Sequence, residues 1–335
     1  SPTTHPLWVS RMTQERKEDR GRARGVAAQG AAQPDATTGP AFAAVTEKPF
    51  THQFWHSADG LTLHFRDYPG ESREAAPVVC LHGLTRNARD FDSLAQHICA
   101  THGRRVLVPE MRGRGRSAYA SDPASYTVPT YIGDLLAMFA QERIERFVAI
   151  GTSMGGLIIM GLAALQPERI AGVVLNDVDP VVEPAELERI KQYVGQGGSF
   201  PTWLHAARAL AELHGETYPG YALEDWLAMA KRTMTLVSNG RIAFDYDMRI
   251  AEPILADETA AVPVDPWPML RALAGRPAVL VRGELSIILS AETLAAMADE
   301  LPGARTVTVP ATGHAPTLDE PSVRAAIDAM LGEVR

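Results

Sequence analysis

Residues 145–156 read E-R-F-V-A-I-G-T-S-M-G-G, a short apolar run that stops at Ser153, with Gly151 two places before it and Gly155 two places after. A chain passing directly from a buried strand into a helix turns so sharply that the corner residue takes a strained backbone conformation, which pushes its side chain outward. Beside that corner only residues without a bulky side chain fit, so Gly151 and Gly155 have a steric reason to be glycine. Ser153 then meets solvent with its hydroxyl while the start of the next helix supplies free N–H donors. The pattern marks Ser153 as a nucleophile; its bland alternative is a glycine-rich strand-to-helix turn of some other α/β protein.

Working outward, P-V-V-C-L at 77–81 reads as a strand that runs into His82-Gly83-Leu84-Thr85, a turn whose backbone can offer a further donor beside the serine. The Leu84 and Met154 N–H groups are the expected oxyanion pair. Far downstream, R-T-V-T-V-P-A-T-G-H-A-P sets His314 just past another apolar run. Histidine titrates near neutrality, so His314 can take the serine proton and return it to a leaving group.

Four stretches carry a family resemblance: H-G-L-T at 82–85, P-E-M-R-G-R-G-R-S at 109–117, G-T-S-M-G-G at 151–156 and T-G-H-A-P-T-L-D-E-P at 312–321. In this order and spacing the chain, from about residue 50 onward, resembles the α/β-hydrolase-fold esterases and lactonases, including enol-lactone hydrolases and the hydrolases of ring-cleavage products. The resemblance implies an α/β fold with a mostly parallel eight-stranded sheet, helices on both faces, a helical cap inserted after the sixth strand, and no cofactor. The carbon-carbon bond hydrolases among those relatives usually show asparagine before the serine, whereas Thr152 stands here, which weighs against that activity. The same resemblance puts a triad acid just after the seventh strand, in V-R-G-E-L-S-I-I-L-S, where relatives carry aspartate immediately after the serine; this chain has Ile287. Asp177, nearest the end of the sixth strand, is the preferred substitute, with Asp179 and Glu284 as alternatives and a structural, loop-capping role for Asp177 equally open. Glu110 is expected to organise the Arg112–Ser117 turn instead.

The alternation of strands and helices supports this reading. After a hairpin from residue 50, turning at Asp59-Gly60, strands at 77–81, 104–109 and 146–151 alternate with helices near 89–101, 128–142 and 154–166, the rhythm of a parallel sheet with right-handed crossovers. The sixth strand, I-A-G-V-V-L-N, ends at Asp177. Residues 180–264 lose that rhythm and read as a helical cap with Trp203, Tyr218, Tyr221, Trp226 and Met229, aromatics better explained by packing than by a ligand pocket. Residues 50–179 and 265–335 then form the core, while residues 1–49, mixing charged runs with Ala, Gly, Thr and Pro, read as disordered. A targeting role for that segment is disfavoured, because Glu15, Glu18 and Asp19 interrupt its arginine-rich pattern.

Composition limits the rest. A formal charge of −8 argues against nucleic-acid or anionic-membrane partners. Hydrophobic residues make up 46% of the chain without an uninterrupted apolar stretch of about 18, so no membrane span is expected. Cys80 and Cys99 are the only cysteines, which suits a reducing, cytoplasmic setting. His205 and His214 lack metal-ligand spacing, and no metal site is expected. Together these readings describe a serine hydrolase of a small-molecule ester or lactone. Ile287 sustains a second reading, a catalytically silent relative that only binds a ligand.

Overall fold

The computed structural model describes residues 49–181, 184–256 and 265–334. The expected disorder of residues 1–49 thus falls, apart from Lys48's neighbour Pro49, outside the described residues. Eight strands form one sheet: β1 (Thr51–His56), β2 (Thr62–Tyr68), β3 (Val78–Leu81), β4 (Val106–Glu110), β5 (Phe147–Thr152), β6 (Ile170–Asn176), β10 (Ala278–Gly283) and β11 (Arg305–Val309). Their order is β1-β2-β4-β3-β5-β6-β10-β11. Only β2 runs against its neighbours, pairing antiparallel with both β1 and β4; every other pair is parallel.

The parallel strands are apolar on both sides because both faces of the sheet are covered. Along β5, Phe147 and Ala149 join one core and Val148 and Ile150 the other. The first core is closed by helices Val128–Gln141 and Met154–Leu165, the second by helices Asp92–His102 and Pro321–Glu333. Each fully buried Val, Leu or Ile in these layers stabilises the fold by roughly 1.5–3 kcal/mol. This anchors the ends of β5 and β6 and the segment after β11, the three places that carry Ser153, Asp177 and His314.

Between β6 and β10 the described chain forms helices Pro184–Tyr193, Trp203–His214, Leu223–Thr233 and Ala251–Ala256. It also forms a three-stranded antiparallel sheet, β7 (Ser199–Phe200), β9 (Ile242–Phe244) and β8 (Met234–Leu236), which a purely helical reading of this insert does not anticipate. Strands of two and three residues are too short to show alternation. Tyr218, Trp226 and Met229 form a separate buried cluster with Phe200, Leu210 and Ile242, and Trp203 and Tyr221 pack against it, so these aromatics build the insert's own core. Among the described residues no helix is long and apolar enough to cross a membrane.

Candidate active site

β5 ends at Thr152 and a helix begins at Met154, leaving Ser153 alone at the corner with φ 53° and ψ −117°. A non-glycine residue there is strained by about 1–3 kcal/mol, which the surrounding packing must sustain. Gly151 and Gly155 show why nothing larger fits: a Cβ on Gly151 would lie 2.5 Å from the Gly155 carbonyl carbon, and one on Gly155 would lie 2.1 Å from the Leu81 oxygen. The helix start is therefore pressed onto β3 and β5, and the Ser153 N–H is tied to the Asn176 carbonyl at 3.0 Å.

Ser153 Oγ lies 3.0 Å from His314 Nε2, and His314 Nδ1 lies 2.7 Å from Asp177 Oδ2. At these distances an Oγ–H can donate to Nε2 while an Nδ1–H donates to the carboxylate, the spacing that a nucleophile, a base and an acid would need. Asp177 is wholly buried and its backbone is left-handed, with φ 50°. Its N–H donates to the Val281 carbonyl, continuing the sheet for one more residue, while its side chain turns toward the end of β10. There Oδ1 accepts from the Gly283 N–H at 2.9 Å and Oδ2 accepts from the Ser286 hydroxyl at 2.6 Å. These hydrogen bonds, together with that to His314, offset part of the cost of burying the carboxylate.

The other acids considered from sequence go elsewhere. Glu284 accepts from the Ala311 N–H at 2.7 Å, and Asp179 accepts from the Val181 N–H at 2.8 Å. Ile287, at the position where relatives carry the acid, is 56% exposed. Glu110 accepts from the Arg116 N–H, the Ala88 N–H and His64, so it does organise the Arg112–Ser117 turn.

On the far side of Ser153 stands the turn after β3. His82 Nδ1 donates to the Gly83 carbonyl at 2.7 Å, and Nε2 accepts from the Met111 N–H at 3.1 Å, which fixes a neutral imidazole. Burial pushes its pKa down to about 4, in keeping with those roles. Gly83 faces Ser153, since a Cβ there would stand 3.8 Å from Ser153 Cβ. Among the described residues neither the Leu84 nor the Met154 N–H donates to any other group. Both therefore remain available to a ligand.

The insert also reaches the site. The Gly313 N–H donates to the Thr217 carbonyl at 2.7 Å, and the Tyr218 hydroxyl donates to the Ala315 carbonyl at 2.9 Å. The residues on both sides of His314 are thus held by the insert, alongside Leu285, whose N–H donates to the Thr312 carbonyl at 2.9 Å, and Asn176 of β6, whose side chain donates to the Pro316 carbonyl at 2.9 Å. Tyr218→Phe is expected to lower kcat about three- to tenfold for any reaction that depends on His314, with little change in melting temperature, because one such bond is worth roughly 1 kcal/mol. An unchanged kcat would show that the other contacts suffice to fix the loop. Sequence reading missed this contact, for Tyr218 carries no local mark of it.

A family model described as alpha/beta hydrolase fold matches residues 76–321. The 3-hydroxybutyrate-oligomer hydrolase of Cupriavidus necator is 34% identical over 259 residues, covering 76% of this chain and 87% of that protein. A solved α/β hydrolase from Novosphingobium aromaticivorans is 57% identical with a TM-score of 0.81, covering 85% of this chain and 99% of that one. The enol-lactonase of Burkholderia xenovorans, at 19% identity and a TM-score of 0.60 over 84% of this chain and 98% of its own, shares the fold.

Proposed function

Because the chain belongs to the alpha/beta-hydrolase-fold family, we propose that it is a serine hydrolase of carboxylic esters or lactones working through a Ser153 acyl-enzyme. The observation that carries this reading is the unbroken chain of contacts from Ser153 Oγ through His314 to Asp177, at 3.0 and 2.7 Å. Ser153 Oγ attacks the substrate carbonyl as its proton passes to His314 Nε2, and the carbonyl oxygen becomes an oxyanion between the Leu84 and Met154 N–H groups. Collapse of that intermediate breaks the ester C–O bond, and the imidazolium returns the proton to the departing alcohol. Water then repeats the sequence at the acyl carbon, releasing the acid and restoring Ser153. The binding-only reading drew its support from Ile287, and it weakens when a buried carboxylate already stands against His314. A fluorophosphonate that labels the wild-type protein, but not Ser153→Ala, is the direct test; no labelling of the wild type would sink the reading.

The Cupriavidus relative suggests a short oligoester of a hydroxy acid as substrate, and Arg86 supports it. Its Cγ would lie 3.4 Å from a Cβ on Gly83, the residue facing Ser153, and its side chain is 27% exposed. The guanidinium is clamped on Asp90 by two bonds of 2.6 Å, and Arg232 approaches the same carboxylate at 3.8 Å. Two cations thus share one anion, with Arg86 rising from the turn that carries Gly83, a setting suited to the terminal carboxylate of such an oligomer. A charge-assisted bond of roughly 1.5–3 kcal/mol predicts kcat/KM about 10- to 100-fold higher for the 3-hydroxybutyrate dimer acid than for its methyl ester. Equal values would redirect the reading to neutral esters or lactones.

A further inference from the structure

The R-G-R-G-R run, which sequence reading assigns to a turn, places its middle arginine in the interior. Arg114 has 0% of its surface exposed, and Arg112 2%. The two are compensated in different ways. Arg112 is paired with the carboxylates of Asp59 and Asp134. Arg114 has no carboxylate partner among the described residues; it donates to the carbonyl oxygens of Leu84 at 2.9 Å and Arg112 at 2.8 Å, and to the Tyr131 hydroxyl at 2.8 Å. Its Nη2 lies 3.9 Å from Met154 Sδ, and its guanidinium sits 5.0 Å from the Tyr131 ring centre and 5.7 Å from that of Tyr126.

Burying a charge away from water is costly unless a counter-ion compensates it, and a guanidinium cannot shed its proton to escape that cost. Carbonyl oxygens and aromatic faces soften the penalty without cancelling the charge. One element of this environment is not structural filler: Leu84 and Met154, which Arg114 touches together, are the residues whose N–H groups form the expected oxyanion pair.

We propose that Arg114 is a positioning residue of the oxyanion site, holding the Leu84 peptide by its carbonyl, packing against the Met154 side chain and adding a buried positive charge beside both. The inference rests on the serine-hydrolase reading of Ser153. By anchoring the Leu84 carbonyl, the guanidinium turns that segment so that its N–H stays free, and its unneutralised charge favours the state in which the substrate oxygen is negative. Positive potential fixed before the reaction strengthens transition-state binding without strengthening binding of the neutral ester.

The test compares full-length wild type with Arg114→Gln, which keeps a donor and loses the charge, and Arg114→Lys, which keeps the charge and loses the fork. The readouts are kcat and KM for p-nitrophenyl butyrate, and affinity for a short alkyl trifluoromethyl ketone. Ser153 Oγ adds to the carbonyl carbon of that ketone, the serine proton passes to His314 Nε2, and the carbonyl π electrons go to the ketone oxygen, which becomes an oxyanion. Arg114→Gln is expected to lower kcat and ketone affinity in parallel by about 10- to 100-fold, with KM within about threefold, a fraction of what losing a whole oxyanion donor costs. Arg114→Lys should show the same parallel loss at about three- to tenfold. Should the glutamine variant fail to fold, the lysine variant carries the test alone. Ketone affinity within twofold of wild type in a folded variant, or a loss confined to KM, overturns the proposal. A wild type unlabelled by fluorophosphonate would instead overturn the reading beneath it.

Discussion

Ser153→Ala is expected to remove hydrolysis of p-nitrophenyl esters by about a millionfold, the scale at which serine hydrolases lose turnover when the nucleophile is deleted. The protein should remain folded. The Ser153 hydroxyl donates to His314 and to no core group, so alanine forfeits one half-exposed hydrogen bond of about 1 kcal/mol. It also keeps the strained corner at φ 53°, because serine and alanine carry the same Cβ and strain depends on that atom. Structure and rate should therefore separate cleanly. The measurement is steady-state turnover beside a thermal melt: turnover within tenfold of wild type would refute Ser153 as nucleophile, whichever substrate is used. Gly155→Ala makes the informative contrast. Its Cβ would strike the Leu81 oxygen at 2.1 Å, so that variant should lose rate and melting temperature together.

The parts of this site that were legible in sequence are those encoded by neighbours. The elbow declares itself within a dozen residues, because the sharp corner dictates glycine two places to either side of Ser153. The β-strand and helix alternation was equally readable, since each buried strand is an apolar run bounded by turn residues. Asp177 was legible only as one choice among three. Its contact with His314 spans 137 residues, and what singles it out is the direction its side chain takes from a left-handed backbone at the end of β6. No local pattern encodes that direction.

Arginine burial was least legible. The ordinary preference of arginine for the surface points the wrong way for Arg112 and Arg114, and their partners come from three separate segments: Asp59, Leu84, and the helix that carries both Tyr131 and Asp134. The same limit hid the grip of Thr217 and Tyr218 on the His314 loop. In each case the missing information is which distant segment comes alongside, and only the assembled sheet and insert supply it.

Asp177→Asn and Ile287→Asp, assayed side by side, decide which residue serves as the triad acid. Asp177→Asn is expected to lower kcat by about ten-thousandfold, the effect of the equivalent change in serine proteases. The physical reason lies in the partners. Asp177 Oδ1 accepts from Gly283 and Oδ2 accepts from both Ser286 and His314. An asparagine can keep the Gly283 bond with its oxygen, but its NH2 then faces His314 Nδ1. That amide donates where the carboxylate accepted, so it selects the imidazole tautomer with the proton on Nε2, which cannot take the serine proton. It also removes the negative charge that would stabilise the imidazolium. Ile287→Asp should change kcat by less than about twofold. Position 287 is 56% exposed, so a carboxylate there stays hydrated, and His314 Nδ1 is already committed to Asp177 at 2.7 Å. The opposite pair of outcomes, a mild Asp177→Asn and an Ile287→Asp that gains tenfold or more, would mean that the acid was lost from the seventh strand of the main sheet and that Asp177 only ties β6 to β10. If both variants matched wild type, His314 would be working without an acid partner, and the contact at 2.7 Å would be structural.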